Sequence, residues 1–261
     1  MNINWIQPIT VYELIAVVLS TIALIIPLIK HIYNHFIKKL KVDFLPSGMI
    51  TLFHNRSGSY ISLGGVYEVK NKSTTIKEIT AKVIRQSDNA TLSLIWSTFP
   101  SPIYRRVAGN FETSFETAHP FKVEADTLAP AFVEFADKCA NMDEVSNNIL
   151  YPIVCATMPL FSQLNTTLPI VDGAVRALPE YASAKIALND HFFWKADEYE
   201  IVITTIHSKG TFDKKYVFSL SDDESSRLRH NIDSVLISHV ANHFGIPVQM
   251  NTVTKDFKGK K

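Results

Sequence analysis

The chain reads as a single N-terminal transmembrane helix, then a mainly antiparallel β domain, then a C-terminal amphipathic helix. The β domain is expected to be an immunoglobulin-like β-sandwich of eight or nine strands. Three observations lead there. Val11 to Ile29 is a run of 19 residues almost unbroken in apolar character; as a helix it rises about 28 Å, close to the roughly 30 Å hydrocarbon core of a bilayer. Beyond Val42, short segments alternate apolar and polar residues between turn clusters, the period-2 pattern of half-buried strands. Near the end, Leu228, Ile232, Val235, Leu236, Val240 and Phe244 recur at helical spacing. The expected organisation is residues 1–10 outside the membrane, 11–29 as the span and 30–41 as a basic juxtamembrane segment. Residues 42–220 form the β domain with an irregular insertion at 100–179, 221–245 the helix and 246–261 a basic tail.

Lys30, Lys38, Lys39 and Lys41 follow the apolar run, and no Lys or Arg precedes it. The positive-inside rule then puts the N-terminus outside and the large remainder in the cytoplasm, as a single-pass protein of the plasma (inner) membrane. A cleaved signal peptide needs a basic start, a shorter core and a small-residue cleavage site, and these residues offer none of the three. The four lysines are expected to contact lipid headgroups, at about 1 kcal/mol each. Glu13, Ala16, Ser20, Ala23 and Pro27 are spaced 3, 4, 3 and 4, so they share one helical face. Small residues at such spacing let helices approach closely in lipid. This face is therefore expected to be a packing seam against copies of the same helix or a partner's helix. Glu13 lies about one turn inside the outer boundary, from where its carboxylate reaches water.

Gly48–His54, Tyr60–Lys70, Ile76–Gln86 and Thr91–Phe99 read as successive strands, with turns at Asn71–Thr74 and Ser87–Ala90. Ile79, Ala81 and Val83 share a face, and Lys77, if in register, starts that row. Leu63–Gly64–Gly65 lacks the lysine and following helix of a nucleotide loop and reads as a bulge or a crowded strand. Pro100, Pro102, Pro120, Pro130, Pro152, Pro159, Pro169 and Pro179 argue against long regular elements in the insertion. Within it, Phe121–Glu124 and Ala131–Phe135 look like strands, and Asp143–Leu150 like a short helix that Pro152 ends. Tyr181–Leu188 reads as a strand, and Tyr199–His207 with Lys214–Leu220 as a hairpin. Helices of 10–15 residues alternating with strands are not seen in the pattern, which excludes a parallel α/β fold. Ser221 to Glu224 forms a capping box, and Gly245 and Pro247 stop the last helix. Lys255, Lys258, Lys260 and Lys261 mark a solvated tail.

With 26 basic against 25 acidic residues, the net charge is +1. No basic face interleaved with aromatics appears, which argues against nucleic acid as a partner. Cys139 and Cys155 are expected as free thiols, one or both buried. The sequons at Asn55, Asn71, Asn89 and Asn165 carry no meaning in a cytoplasmic domain. His239 and His243 have a metal-site spacing, but Val240 stands where zinc hydrolases carry Glu, so packing explains them. His31 and His35 repeat that spacing at the headgroup level. No nucleophile elbow is present. No catalytic residue, cofactor or metal is therefore expected. His191, Phe192, Phe193 and Trp194 are a candidate recognition surface, weighed against plain core packing.

The function expected from these residues is a non-enzymatic, membrane-anchored interaction module, oligomerised by its helix. Its cytoplasmic domain would bind an unknown protein or small ligand. Alternatives are an oligomeric effector that opens the bilayer on sensing a ligand, and an enzyme with its site in the 100–179 insertion. In outline the chain resembles single-pass bacterial envelope proteins with a cytoplasmic immunoglobulin-like sandwich, a likeness of architecture that no motif carries.

Overall fold

A computed structural model describes residues 10–33, 38–56, 58–107, 110–137, 141–161 and 166–259. Helix α1 (Val11–Ile32) is long and apolar enough to cross a membrane, and none of its residues is buried by the other described residues. Its start is fixed by a capping box. The Thr10 hydroxyl accepts from the Glu13 amide, and the Glu13 carboxylate accepts from the Thr10 amide at 2.8 Å. Glu13 therefore has a local role at the helix end. Pro27 lies inside the helix without ending it.

The domain that follows is mostly antiparallel sheet. Its strands are β1 (Lys41–Asn55), β2 (Gly58–Lys70), β3 (Thr74–Arg85), β4 (Thr91–Val107), β5 (Asn110–Thr117), β6 (Phe121–Val123) and β7 (Thr127–Asp137), then β8 (Asp197–His207), β9 (Gly210–Leu220), β10 (Thr252–Asp256) and β11 (Lys258–Gly259). All pair within one sheet of order β10-β1-β2-β7-β4-β3-β8-β9-β11, with β5 on β4 and β6 on β3. The expectation of two packed sheets of immunoglobulin type finds no support in this pairing. The sheet instead curls until it is nearly a barrel. Strand β10 pairs with β1 at one edge and β11 pairs with β9 at the other, so the segment Thr252–Gly259 bridges the two edges. Between them the Phe257 amide donates to the Gly48 carbonyl at 3.0 Å. The expected solvated tail thus contains two strands. Val253 and Phe257 point inward and are buried, and Lys255 holds Glu224 at 2.8 Å.

Alternation fills the interior. Ile50 and Leu52 of β1, Ile61, Leu63 and Tyr67 of β2, and Ile79, Ala81 and Val83 of β3 are buried, as are Tyr199, Ile201 and Ile203 of β8. Tyr67 on β2 and Thr205 on β8 are four places apart in the sheet, yet their hydroxyls meet at 2.9 Å across the interior. The row on β3 does not start at Lys77. A register shift between Ile76 and Glu78 leaves Lys77 exposed and turns Ile76 inward. Gly64 and Gly65 are the crowded strand. A Cβ on Gly65 would meet the Phe44 ring at 2.5 Å, and β1 bulges opposite, between Pro46 and Ile50.

The insertion is more regular than its prolines imply. It supplies β5, β6 and β7 and two helices, α2 (Asn141–Thr157) and α3 (Leu168–Arg176). Pro152 sits inside α2 and does not end it. Pro169 lies at the start of α3, where the missing amide hydrogen would have had no helical partner. Pro179 starts α4 (Pro179–Asp190) in the same way, so Tyr181–Leu188 is helix and the expected strand there is wrong. Its buried residues, Ala184 and Leu188, are four apart. The single C-terminal helix is two. Helix α5 (Asp222–Arg229) opens on the expected Ser221–Glu224 box, and α6 (Asn231–Ala241) follows after His230. Every residue of α6 from Asn231 to Ile237 is buried, so it lies within the core.

Candidate functional site

Helices α2, α3, α4 and α6 pack together, and the hairpin end of β1 is tied to the last two helices. The Asn231 side chain at the head of α6 donates to the His54 and Asn251 carbonyls at 3.0 and 2.8 Å, and its Oδ1 accepts from the Asn251 backbone amide. Trp194 donates to the Phe53 carbonyl at 3.1 Å, and the Ser225 hydroxyl on α5 donates to the Trp194 carbonyl. These bonds fix where α4, α5 and α6 stand.

A pocket of about 800 Å³ opens between them. Its α4 wall is Tyr181, Ala182, Lys185, Ile186 and Asn189, one helical face. Arg227, Arg229, His230, Ile232 and Asp233 form the α5–α6 wall, and Asn251 closes one side. Asp233 is buried and is the centre of the polar groups. It accepts from the Tyr181 hydroxyl at 2.5 Å and pairs with Lys185 at 2.7 Å; the His230 ring stands 3.8 Å away. Burial by itself would raise the Asp233 carboxyl, but the bonds from Lys185 and Tyr181 outweigh it and hold the group below the usual range. Burial and the bond to Asp233 push the Tyr181 phenol up, so it stays protonated and donating. Arg176 on α3 donates to the Tyr181 oxygen at 2.9 Å and pairs with Asp172 at 2.7 Å, extending the network away from the opening.

The residues expected to form a recognition surface lie elsewhere. Phe192 and Trp194 are core residues at 3 and 0 % exposure, Phe193 is half-buried, and only His191 is exposed. Phe193 covers the Arg85 guanidinium at 5.2 Å, and Arg85 donates to its carbonyl and grips Asp88 with two nitrogens. Glu13, Ala16, Ser20, Ala23 and Pro27 are all exposed on α1, with Lys30 following on the same helix. Lys38 lies 6.0 Å from the Tyr33 ring, and Lys39 and Lys41 lead into β1. Cys155 is free, as expected, and exposed; of the two thiols expected to be buried singly or together, the other, Cys139, lies outside the described residues. The His239 and His243 rings are 6.2 Å apart, and no group of three metal-ligating side chains occurs among the described residues.

None of the pocket residues was singled out from sequence as a functional residue; Ile232 was expected only in the apolar stripe of the last helix. The signal was present: Tyr181, Lys185 and Asn189 stand four apart, a helical face hidden once the segment is read as strand. Against known proteins, no family model, no curated protein and no solved structure matches the chain.

Proposed function

We propose that the protein is a membrane-anchored binding module that crosses the bilayer once through α1 and holds its ligand in the α4–α5–α6 pocket. The observation that carries this reading is the pocket itself: about 800 Å³, with an apolar lining around a few placed polar groups, the make-up of a small-molecule site. A binding role is favoured over a catalytic one by the state of those groups. Asp233 is already engaged by Tyr181 and Lys185, which leaves it poorly placed to act as a base. The four lysines after α1 support a cytoplasmic β domain. The Ala16–Ser20 face, which none of the other described residues covers, supports self-association of the helix.

Purification of the full-length chain in detergent followed by denaturation should release a small molecule detectable by mass spectrometry. Ala182→Trp, which fills the pocket from an exposed position on α4, should abolish that release without lowering thermal stability. Equal release from both proteins would refute the pocket as the binding site.

A further inference from the structure

We infer that this pocket takes a small, soluble, multiply charged anion carrying an apolar body, such as a phosphorylated or polycarboxylated metabolite. The inference deepens the binding reading above and rests on it. The wall carries three permanent cations, Lys185, Arg227 and Arg229, against one carboxylate, Asp233. Lys185 is neutralised by that carboxylate. Arg227 donates to the Thr252 carbonyl at 3.4 Å, and Arg229 lies over the Phe192 ring at 5.1 Å. Among the described residues neither arginine has a carboxylate partner, and both are exposed.

Two such arginines among the residues lining one pocket fit a ligand that brings its own negative charge, because the planar guanidinium fork matches phosphate and carboxylate oxygens in pairs. Stacking on Phe192 orders Arg229 before any ligand arrives, which lowers the entropy cost of capture. The rest of the wall asks for more than an inorganic ion. Ile186 is 64 % exposed, Ala182 stands beside it, and Ile232 forms the floor. An apolar surface of this kind in a cationic pocket is matched by a ligand with an apolar part.

Position decides between a soluble anion and a lipid headgroup. The pocket is built against His54, Asn231 and Asn251, at the hairpin end of β1, whereas α1 joins the domain at Lys41. The 15 residues of β1 separate the two, roughly 45 Å along the strand. The four juxtamembrane lysines gather near the anchored end, and the arginines stand at the other.

The test uses the full-length protein in phosphatidylcholine nanodiscs and trinitrophenyl-ATP, a fluorescent polyanion with a planar apolar ring. Competitors are inorganic pyrophosphate, adenosine, and vesicles containing phosphatidylglycerol. Binding displaced by pyrophosphate and resistant to adenosine is expected. Arg227→Ala with Arg229→Ala should weaken it by about tenfold or more, and Arg227→Lys with Arg229→Lys should restore part of the loss. Displacement by adenosine as readily as by pyrophosphate would overturn the inference. Displacement by the vesicles would assign the anion to a headgroup and overturn the soluble source. Binding lost in Ala182→Trp but intact in the arginine variants would keep the pocket and reject the anion. No binding, or binding that none of these substitutions alters, would reject both.

Discussion

His54 shows what burial does to a single group here. It is 2 % exposed, its Nδ1 lies 3.4 Å from the Ser59 hydroxyl, and its ring meets Phe192 edge-on at 5.3 Å. Loss of hydration pushes the imidazole down to about 4, so it is neutral in the fold. An unfolded histidine titrates near 6.5. Between those values the unfolded chain takes up a proton that the native state refuses, so stability falls as pH drops from about 6.5 toward 4. The loss is at most about 3 kcal/mol. His54→Leu should flatten this, giving a smaller drop in Tm between pH 7 and pH 5 than the parent shows. Asp233 does not obscure the comparison, because its lowered carboxyl removes stability only at more acid pH. An unchanged slope in the variant would mean the ring reaches water. Residue-scale inferences from sequence succeeded where chemistry is local. Gly65 is tight against Phe44, and Ser221 and Glu224 do cap α5. They left the His191–Trp194 cluster open between core packing and a recognition surface, because its burial depends on β1, β8 and α5 arriving from distant parts of the chain.

At the scale of elements, most strands were legible, as were the helical segments at Asp143–Leu150 and after Ser221, whereas α3 and α4 were not. Alternation marks a strand wherever one face is wet, and it located most of the sheet. Prolines misled because their effect depends on position. Pro169 and Pro179 occupy helix starts, where they are favourable, and only their neighbours in space could reveal that. The strand β10 was missed because its sequence, Thr252–Val253–Thr254–Lys255–Asp256, is short, polar and followed by Lys258, Lys260 and Lys261. Its two faces differ sharply, and the difference is testable. Val253 is 3 % exposed inside the sheet, while Thr254 points out and bonds the Thr51 hydroxyl at 3.1 Å. Val253→Asp should destabilise the domain by about 3 kcal/mol or more, since a charge would be buried without a partner. Thr254→Asp should change stability by under about 1 kcal/mol. Chemical denaturation of both variants measures this, and equal effects would show that β10 does not pack as a strand.

For the whole molecule, a nearly closed sheet and a sandwich look the same in sequence, because both alternate with period 2. What separates them is a pairing between residues 203 positions apart, Thr51 and Thr254. No local pattern encodes that distance. The proposed orientation can be measured directly. Protease added to sealed, right-side-out cells should leave the chain beyond Lys41 intact, and should digest it once the membrane is opened. Digestion in sealed cells would put the β domain on the outer side.

Pairing β1 with β10 also sets an order of events during synthesis. The first strand leaves the ribosome with one edge bare, and its partner follows 203 residues later, roughly 10 to 40 seconds at ordinary elongation rates. Through that interval the nascent chain carries an open hydrogen-bonding edge over Met49–Phe53, in the half of β1 that leads away from its apolar helix. A ribosome that stalls or terminates before Thr252 would release that edge uncapped, ready to pair with a neighbouring chain.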